Sequence, residues 1–304
     1  MKRLAAILIV LGAAQAHAQT TEILACARDP SSDACLAIPG GTQAPPPLWS
    51  ADVSAGVAPR DGGPTGTYEA LSLRRQLGRS YVQLGAVHYN TALQQGGISV
   101  PSNYGVGTVG FGGNYDGWVL DTYASYGRQT FGAVQDDGVT RPSTGIGGSP
   151  YWGGGVSFGR MFAASPRVFL TPTASVAYAW SRLLRPVPFL SGNADLDTSE
   201  PTWTTAGRLR LDWLPGHDRK SFVGLSVGAL WSNNATSQIG GWGGGVSGTS
   251  APTTSHVHDI WAEVGAHASL GVSRSLRLEA TATRTLGLIS GNGTTVGLGL
   301  RRSF

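Results

Sequence analysis

The chain has 304 residues, a formal net charge of +4, 13% charged residues and 45 glycines. So small a positive excess, with no basic run, excludes nucleic acid as a partner. The 9 Trp, 9 Tyr and 8 Phe count against a disordered chain.

Taken in chain order, residues 1–18 read as a secretory signal peptide: Lys2 and Arg3, an apolar run over Leu4–Ala14, and a small-residue cleavage site at Ala16-His17-Ala18. The run is too short to span a bilayer. No later stretch reaches about 18 consecutive apolar residues, so no transmembrane helix is expected. Residues 19–47 follow, with both cysteines. In an oxidising compartment Cys26 and Cys35 can close one disulfide. Two thiolates with no nearby His do not complete a metal site, so no metal or cofactor is expected.

From Trp49 onward apolar residues recur with period two. Residues 275–286 set Leu276, Leu278, Ala280, Ala282 and Leu286 against Arg277, Glu279, Thr281, Thr283 and Thr285. Residues 202–213 set Trp203, Leu209, Leu211 and Trp213 against Arg208, Arg210 and Asp212. The pattern predicts twelve strands near 48–59, 67–77, 80–91, 103–115, 117–131, 151–163, 167–184, 202–214, 220–233, 256–272, 275–289 and 293–304. Short turns at 77–80, 114–117, 163–167, 215–219 and 272–275 alternate with long polar stretches at 91–103, 132–150, 185–201 and 234–256. The long stretches hold little that could bury a core and read as mobile loops. An even strand number puts all short turns and both ends on one side.

A soluble sandwich also alternates, but these strands exceed the usual five or six residues and suit the about 9–11 that a tilted membrane strand needs. Trp49, Trp118, Tyr151, Trp152, Trp180, Trp203, Trp213 and Trp231 gather at strand ends, where an interfacial girdle lies. The fold class expected is all-β, an antiparallel transmembrane barrel of 12 strands over residues 48–304. Signal, strand pattern and the closing TTVGLGLRRSF together make the chain resemble the Gram-negative outer-membrane β-barrel proteins. In that class an alternating last strand ending in Phe is the signal read by the barrel-assembly machinery. Val296, Leu298, Leu300 and Phe304 fit it, and Arg302 departs from it. The resemblance implies an outer-membrane location, contact with outer-membrane lipid, and a periplasmic place for residues 19–47.

With the polar set turned inward, Asp52, Arg74, Asp121, Arg208, Arg210, Asp212, Glu263, His267, Arg277 and Glu279 are the candidate lumen residues. The arginines can form a basic ladder or pair with the carboxylates across a narrow lumen. A ladder would favour anionic solutes, saccharides among them, as in the twelve-stranded oligosaccharide porins that the chain resembles in size. Gly153, Gly155, Gly159, Gly224, Gly228, Gly265 and Gly297 on the inward faces would leave space. The expected function is therefore a channel for small hydrophilic solutes. An export component similar to autotransporter translocator barrels is the alternative, with residues 19–47 as a plug. A lipid-modifying enzyme is the third reading. Its best candidates, His267, Ser269 and Glu263, share one strand at a spacing too long for direct proton transfer, and no GxSxG occurs, so no enzyme is expected. His256 and His258 share a rim position without a third ligand.

Overall fold

A computed structural model describes residues 48–304 except 96, 216–220, 241–252 and 274. The signal peptide, residues 19–47 and the Cys26–Cys35 disulfide lie outside the described residues. The strands are, in chain order, β1 (Trp49–Ala58), β2 (Gly66–Leu77), β3 (Ser80–Gln95), β4 (Ile98–Tyr115), β5 (Trp118–Phe131), β6 (Val134–Asp136), β7 (Val139–Arg141), β8 (Gly148–Arg160), β9 (Phe162–Ser165), β10 (Val168–Arg185), β11 (Leu196–Ser199), β12 (Thr202–Trp213), β13 (Phe222–Gly240), β14 (Thr253–Gly271), β15 (Leu276–Leu286) and β16 (Thr294–Ser303). The short strands β6, β7, β9 and β11 belong to connections. The other twelve form one antiparallel wall that closes where β1 pairs with β16.

Closure is exact in its hydrogen bonding because the two ends meet. Trp49 N donates to Phe304 O at 3.0 Å and Phe304 N donates to Trp49 O at 2.9 Å. The register then runs from Ser50↔Ser303 to Val57↔Val296. The first and last strands are thus each paired on both sides, as a wall in hydrocarbon requires. The turns on this rim are tight for a local reason. Asp116 and Gly117 both adopt positive φ, 55° and 88°, the pair that a type I′ hairpin turn needs, and Asn114 Oδ1 accepts from Gly117 N at 2.9 Å.

The outward set is apolar and exposed: Val53 and Val57 on β1, Leu71 and Leu73 on β2, Leu209 and Leu211 on β12, Leu225 and Val227 on β13, Val296, Leu298 and Leu300 on β16. Phe304 is exposed at the same rim as Trp49, Trp118 and Trp213. Arg302 is exposed there too, at a rim where an arginine can carry its charge into the headgroups. Trp152, Trp203 and Trp231 are exposed near the other edge. Tyr151 departs from the girdle pattern. It turns inward and is buried, since Trp152, its neighbour on a period-two strand, takes the outer face.

Two expectations are corrected on the side of the long connections. Residues 91–103 are not a loop: β3 and β4 continue through them and pair from Leu93↔Val100 to Gln95↔Ile98. Nor do 132–150 and 185–201 lack core-forming side chains. Val134 and Val187 are buried; Val134 joins Ala58, Tyr89, Leu93, Ile98, Val100, Tyr104 and, from the end of β10, Leu184 in one cluster, with Ile146 packed against it. These apolar residues are scattered in sequence and meet only when the connections fold over the barrel mouth.

Inside the closure, the Tyr68 ring lies across Gly56 and Gly297 and its hydroxyl bonds Thr281. A Cβ on Gly56 would sit 2.5 Å from the Tyr68 ring and closer still to the Val296 carbonyl, which is backbone and cannot move aside. Gly56→Leu is therefore expected to lower the folded fraction in heat-modifiable gel migration, whereas Gly207→Ala, with nothing within 4 Å of its Cβ position, leaves it unchanged.

Candidate functional site

The inward residues of the twelve strands form a chain of ionic contacts along the lumen. At the rim of the chain ends, Arg301 Nη2 donates to Glu279 Oε2 at 3.2 Å and its Nε lies 4.0 Å from Asp52 Oδ2. Arg277 is half-buried opposite Arg301 in the register. One wall segment further, Asp212 Oδ1 takes two partners, Arg210 Nε at 2.8 Å and His267 Nε2 at 2.8 Å. The Phe222 ring covers both, 5.9 Å from the Arg210 guanidinium and 5.3 Å from the His267 ring. Arg208 Nε meets Glu263 Oε1 at 3.3 Å. Across the barrel Arg74 lies 4.2 Å over the Tyr81 ring and donates to Gln83 Oε1 at 3.0 Å, while the Tyr81 hydroxyl donates to Asp121.

Nearer the long connections Arg185 Nη2 donates to Glu200 Oε1 at 2.6 Å, and Asn234 Nδ2 donates to Glu200 Oε2 at 2.9 Å. His256 Nε2 stands 3.5 Å from Glu200 Oε2. Among the described residues no group of three metal-ligating side chains forms, around His256 and His258 or elsewhere.

The structure brings together most of the candidate lumen residues, but in pairs. Arg208 and Arg210 each face a carboxylate, so the wall carries alternating charge where a basic ladder was one reading. The inward glycines do not leave open space either. The volume a side chain would take at Gly224 is filled by His267 and Asp212, at Gly228 by Arg208, at Gly155 by Tyr123 and at Gly297 by Tyr68. Large neighbours need that bare backbone in order to reach across the lumen. The three candidate catalytic residues also separate in role: His267 bonds Asp212, Glu263 bonds Arg208, and Ser269 is fully buried.

Several inward polar side chains are buried, while Asp121, Arg208, Glu279 and Thr281 keep partial exposure. Asp212, Arg185, Asn234 and Ser181 are 1% exposed, and Ser102, Gln129, Ser232 and Ser269 are at 0%. Near the rim of the chain ends Phe169, Leu214 and Phe222 pack together on the β10–β13 side of the wall, with Met161 against them. At the other rim, the connection carrying β6 and β7 and the one carrying β11 form a lid over the mouth.

Two carboxylates tie the connections of that lid together, Asp195 with the larger set of partners. Asp195 is gripped by both Arg141 Nη atoms at 2.7 and 3.0 Å and accepts from Thr144 N at 2.9 Å and Val187 N at 3.1 Å. The neighbouring Asp136 accepts from Phe189 N at 2.6 Å. No sequence motif announces this clamp: Arg141 and Asp195 are 54 residues apart, in stretches that read as loops. Burial alone would raise the Asp195 carboxyl, but the Arg141 fork and the two N–H groups outweigh it and hold it at about 2.

Comparison by sequence finds no protein family and no curated protein that matches the chain. Comparison of folds finds many. The translocator domain of autotransporter NalP from Neisseria meningitidis matches with a TM-score of 0.57 at 13% identity, over 96% of this chain and 97% of that one. The β-domain of the Bordetella autotransporter BrkA matches at 0.51 and 18% identity, over 84% and 98%. An outer membrane channel from Pseudomonas putida F1 matches at 0.51 and 10% identity, over 88% and 100%. The fold is that of an outer-membrane β-barrel. The exposed apolar wall between its two rims is the surface that the outer membrane covers.

The lid's acid response follows from its clamp. A carboxylate held below its unfolded value adds stability that is full above about pH 4 and is lost as pH falls toward 2. Hydrogen-exchange protection over 132–147 and 186–201 should stay constant from pH 7 to about pH 4 and drop below it. Asp195→Ala, which leaves the half-buried Arg141 without its carboxylate, should cut that protection at pH 7 severalfold and leave β1 and β2 unchanged.

Proposed function

We propose that this chain is a gated outer-membrane channel for small hydrophilic solutes, closed in the conformation described. The observation that supports it is the ionic chain itself. Packing a lumen for stability alone is better done with apolar side chains, because a buried ion pair rarely repays its desolvation. A lumen that carries Arg301, Glu279, Arg210, Asp212, His267, Arg208, Glu263, Arg185 and Glu200 in sequence can hydrate along its length once its ends part. Apolar clusters lie near both rims. At the mouth, the lid hinges on two connections and on their carboxylate clamps, an arrangement that local opening can release without unfolding the wall.

Solute preference in this reading depends on which member of each pair faces the hydrated path. With Arg208 opposed by Glu263 and Arg210 by Asp212, the open channel is expected to select weakly, favouring anionic saccharides only to the extent that the guanidinium forks turn to solute. The outward residues Val296, Leu298, Leu300 and Phe304 present the edge that the assembly machinery would read during insertion. Their exposure on the wall supports that role.

The test is single-channel recording of the refolded protein in a planar bilayer. Rare, brief openings are expected, and Asp195→Ala or Arg141→Ala should raise the open probability by about tenfold as the lid loosens. In the uncapped protein, Arg208→Glu with Arg210→Glu should shift selectivity toward cations. Silence from both the capped and the uncapped barrel, with the wall shown to be folded, would overturn the channel reading.

A further inference from the structure

The outer edge of the lipid-facing wall is chemically two-sided. From β5 round to β13 it carries Tyr126, Trp152, Tyr178, Trp180, Trp203 and Trp231, several of them in ring contact. From β2 to β5 the same edge has no such ring until Tyr126. Instead, Glu69, His88, Gly105 and Arg128 are successive register partners on β2, β3, β4 and β5. All four face outward, on the same strand faces as Leu71, Leu84, Val109 and Tyr126, and all are exposed. Glu69 and His88 stand about 20 Å and Arg128 about 25 Å above the other ends of their tilted strands, which is the upper edge of an apolar band about 25 Å tall.

Three ionisable side chains in one row at that depth need a reason. A charge facing acyl chains is costly, and the cost falls toward zero only at the headgroups. The structure gives none of the three side chains a hydrogen bond or ion pair among the described residues. Between His88 and Arg128 lies Gly105, with nothing within 4 Å of its Cβ position. The two strands that carry His88 and Arg128 are two spacings apart, about 10 Å, so both side chains can close on one anion resting over the bare glycine. Beside it Gly107, also without a side chain, pairs with Tyr126, which is 70% exposed.

We propose that Glu69, His88 and Arg128 form an outward clasp for the phosphorylated sugar headgroup of one outer-leaflet glycolipid. Arg128 offers the phosphate a planar fork of donors and His88 a second donor from the opposite side. Glu69 accepts from a hydroxyl or amide of the same headgroup, a donor that phosphatidylcholine lacks. The exposed Tyr126 ring and the flat floor of Gly105 and Gly107 receive the sugar face and the upper acyl chain. The clasp lies on the outside of the wall and does not depend on whether the lumen conducts.

Native mass spectrometry of the refolded full chain, released from detergent micelles doped with lipid A or with phosphatidylcholine, tests this. The wild-type barrel should keep one lipid A at collision energies that strip phosphatidylcholine. His88→Ala with Arg128→Ala should lower that retention about tenfold or more, in line with the loss of charge-assisted hydrogen bonds. Glu69→Gln should lower it less, and Arg75→Ala, an outward arginine at the opposite rim over the Trp49 ring, should not change it. Heat-modifiable migration confirms that each variant is folded. Equal retention in wild type and double variant, or no preference for lipid A over phosphatidylcholine, would refute the clasp. A dimer that the double variant dissolves would assign the row to a second copy of the chain instead.

Discussion

Every feature of this protein follows from one constraint: in hydrocarbon a backbone N–H or C=O without a partner costs several kcal/mol, so the sheet has to close. Closure joins the first strand to the last, and the two mutual hydrogen bonds between Trp49 and Phe304 mark the place. It also explains why the chain begins and ends its wall on one rim, why the strand number is even, and why the terminal ring sits among interfacial tryptophans. The glycines at 56 and 297 belong to the same constraint. They let the Tyr68 ring lie over the seam and pack it from within: a side chain at 56 would meet the Val296 carbonyl, and one at 297 the Tyr68 hydroxyl.

Closing the wall creates a second problem inside it. Twelve strands leave a lumen narrow enough for side chains to reach one another, so each inward polar group has to find a partner or water. The chain answers with partners. Asp212 satisfies Arg210 and His267 together, Glu263 takes Arg208, and Glu200 takes Arg185 and Asn234. Such a lumen is held by contacts that water can replace, unlike a lumen of interlocked leucines. Near its rims, by contrast, apolar side chains cluster. The difference separates the wall from its contents, and it is what the proposed gating rests on.

The outer surface shows the same division between scaffold and site. Where the edge of the wall carries stacked and tilted aromatic rings it behaves as an anchor in the interface. Where it carries Glu69, His88 and Arg128 over bare glycine it offers specific chemistry to whatever lipid lies beside it. Neither sector affects the register of the strands, because outward side chains on a barrel are free to vary once their period is kept.

Much of the wall was legible in the sequence, since strand pairing in a barrel is local and its period is two. Arg277 against Leu278, or Arg210 against Leu211, already tells inside from outside. The alternation of short and long connections tells one rim from the other. Twelve strands, an antiparallel barrel and the place of Phe304 follow from those patterns alone. The contents were not legible, because distances across a lumen obey no sequence period. Only the folded barrel decides that Asp212 meets His267, 55 residues away, and that Glu263 is spent on Arg208. Only the fold turns polar, glycine-rich stretches into a lid clamped by Asp195, and sends Tyr151 inward beside an outward Trp152. A strand's faces are set by neighbours along the chain; what fills the space those faces enclose is set by residues brought together from opposite walls.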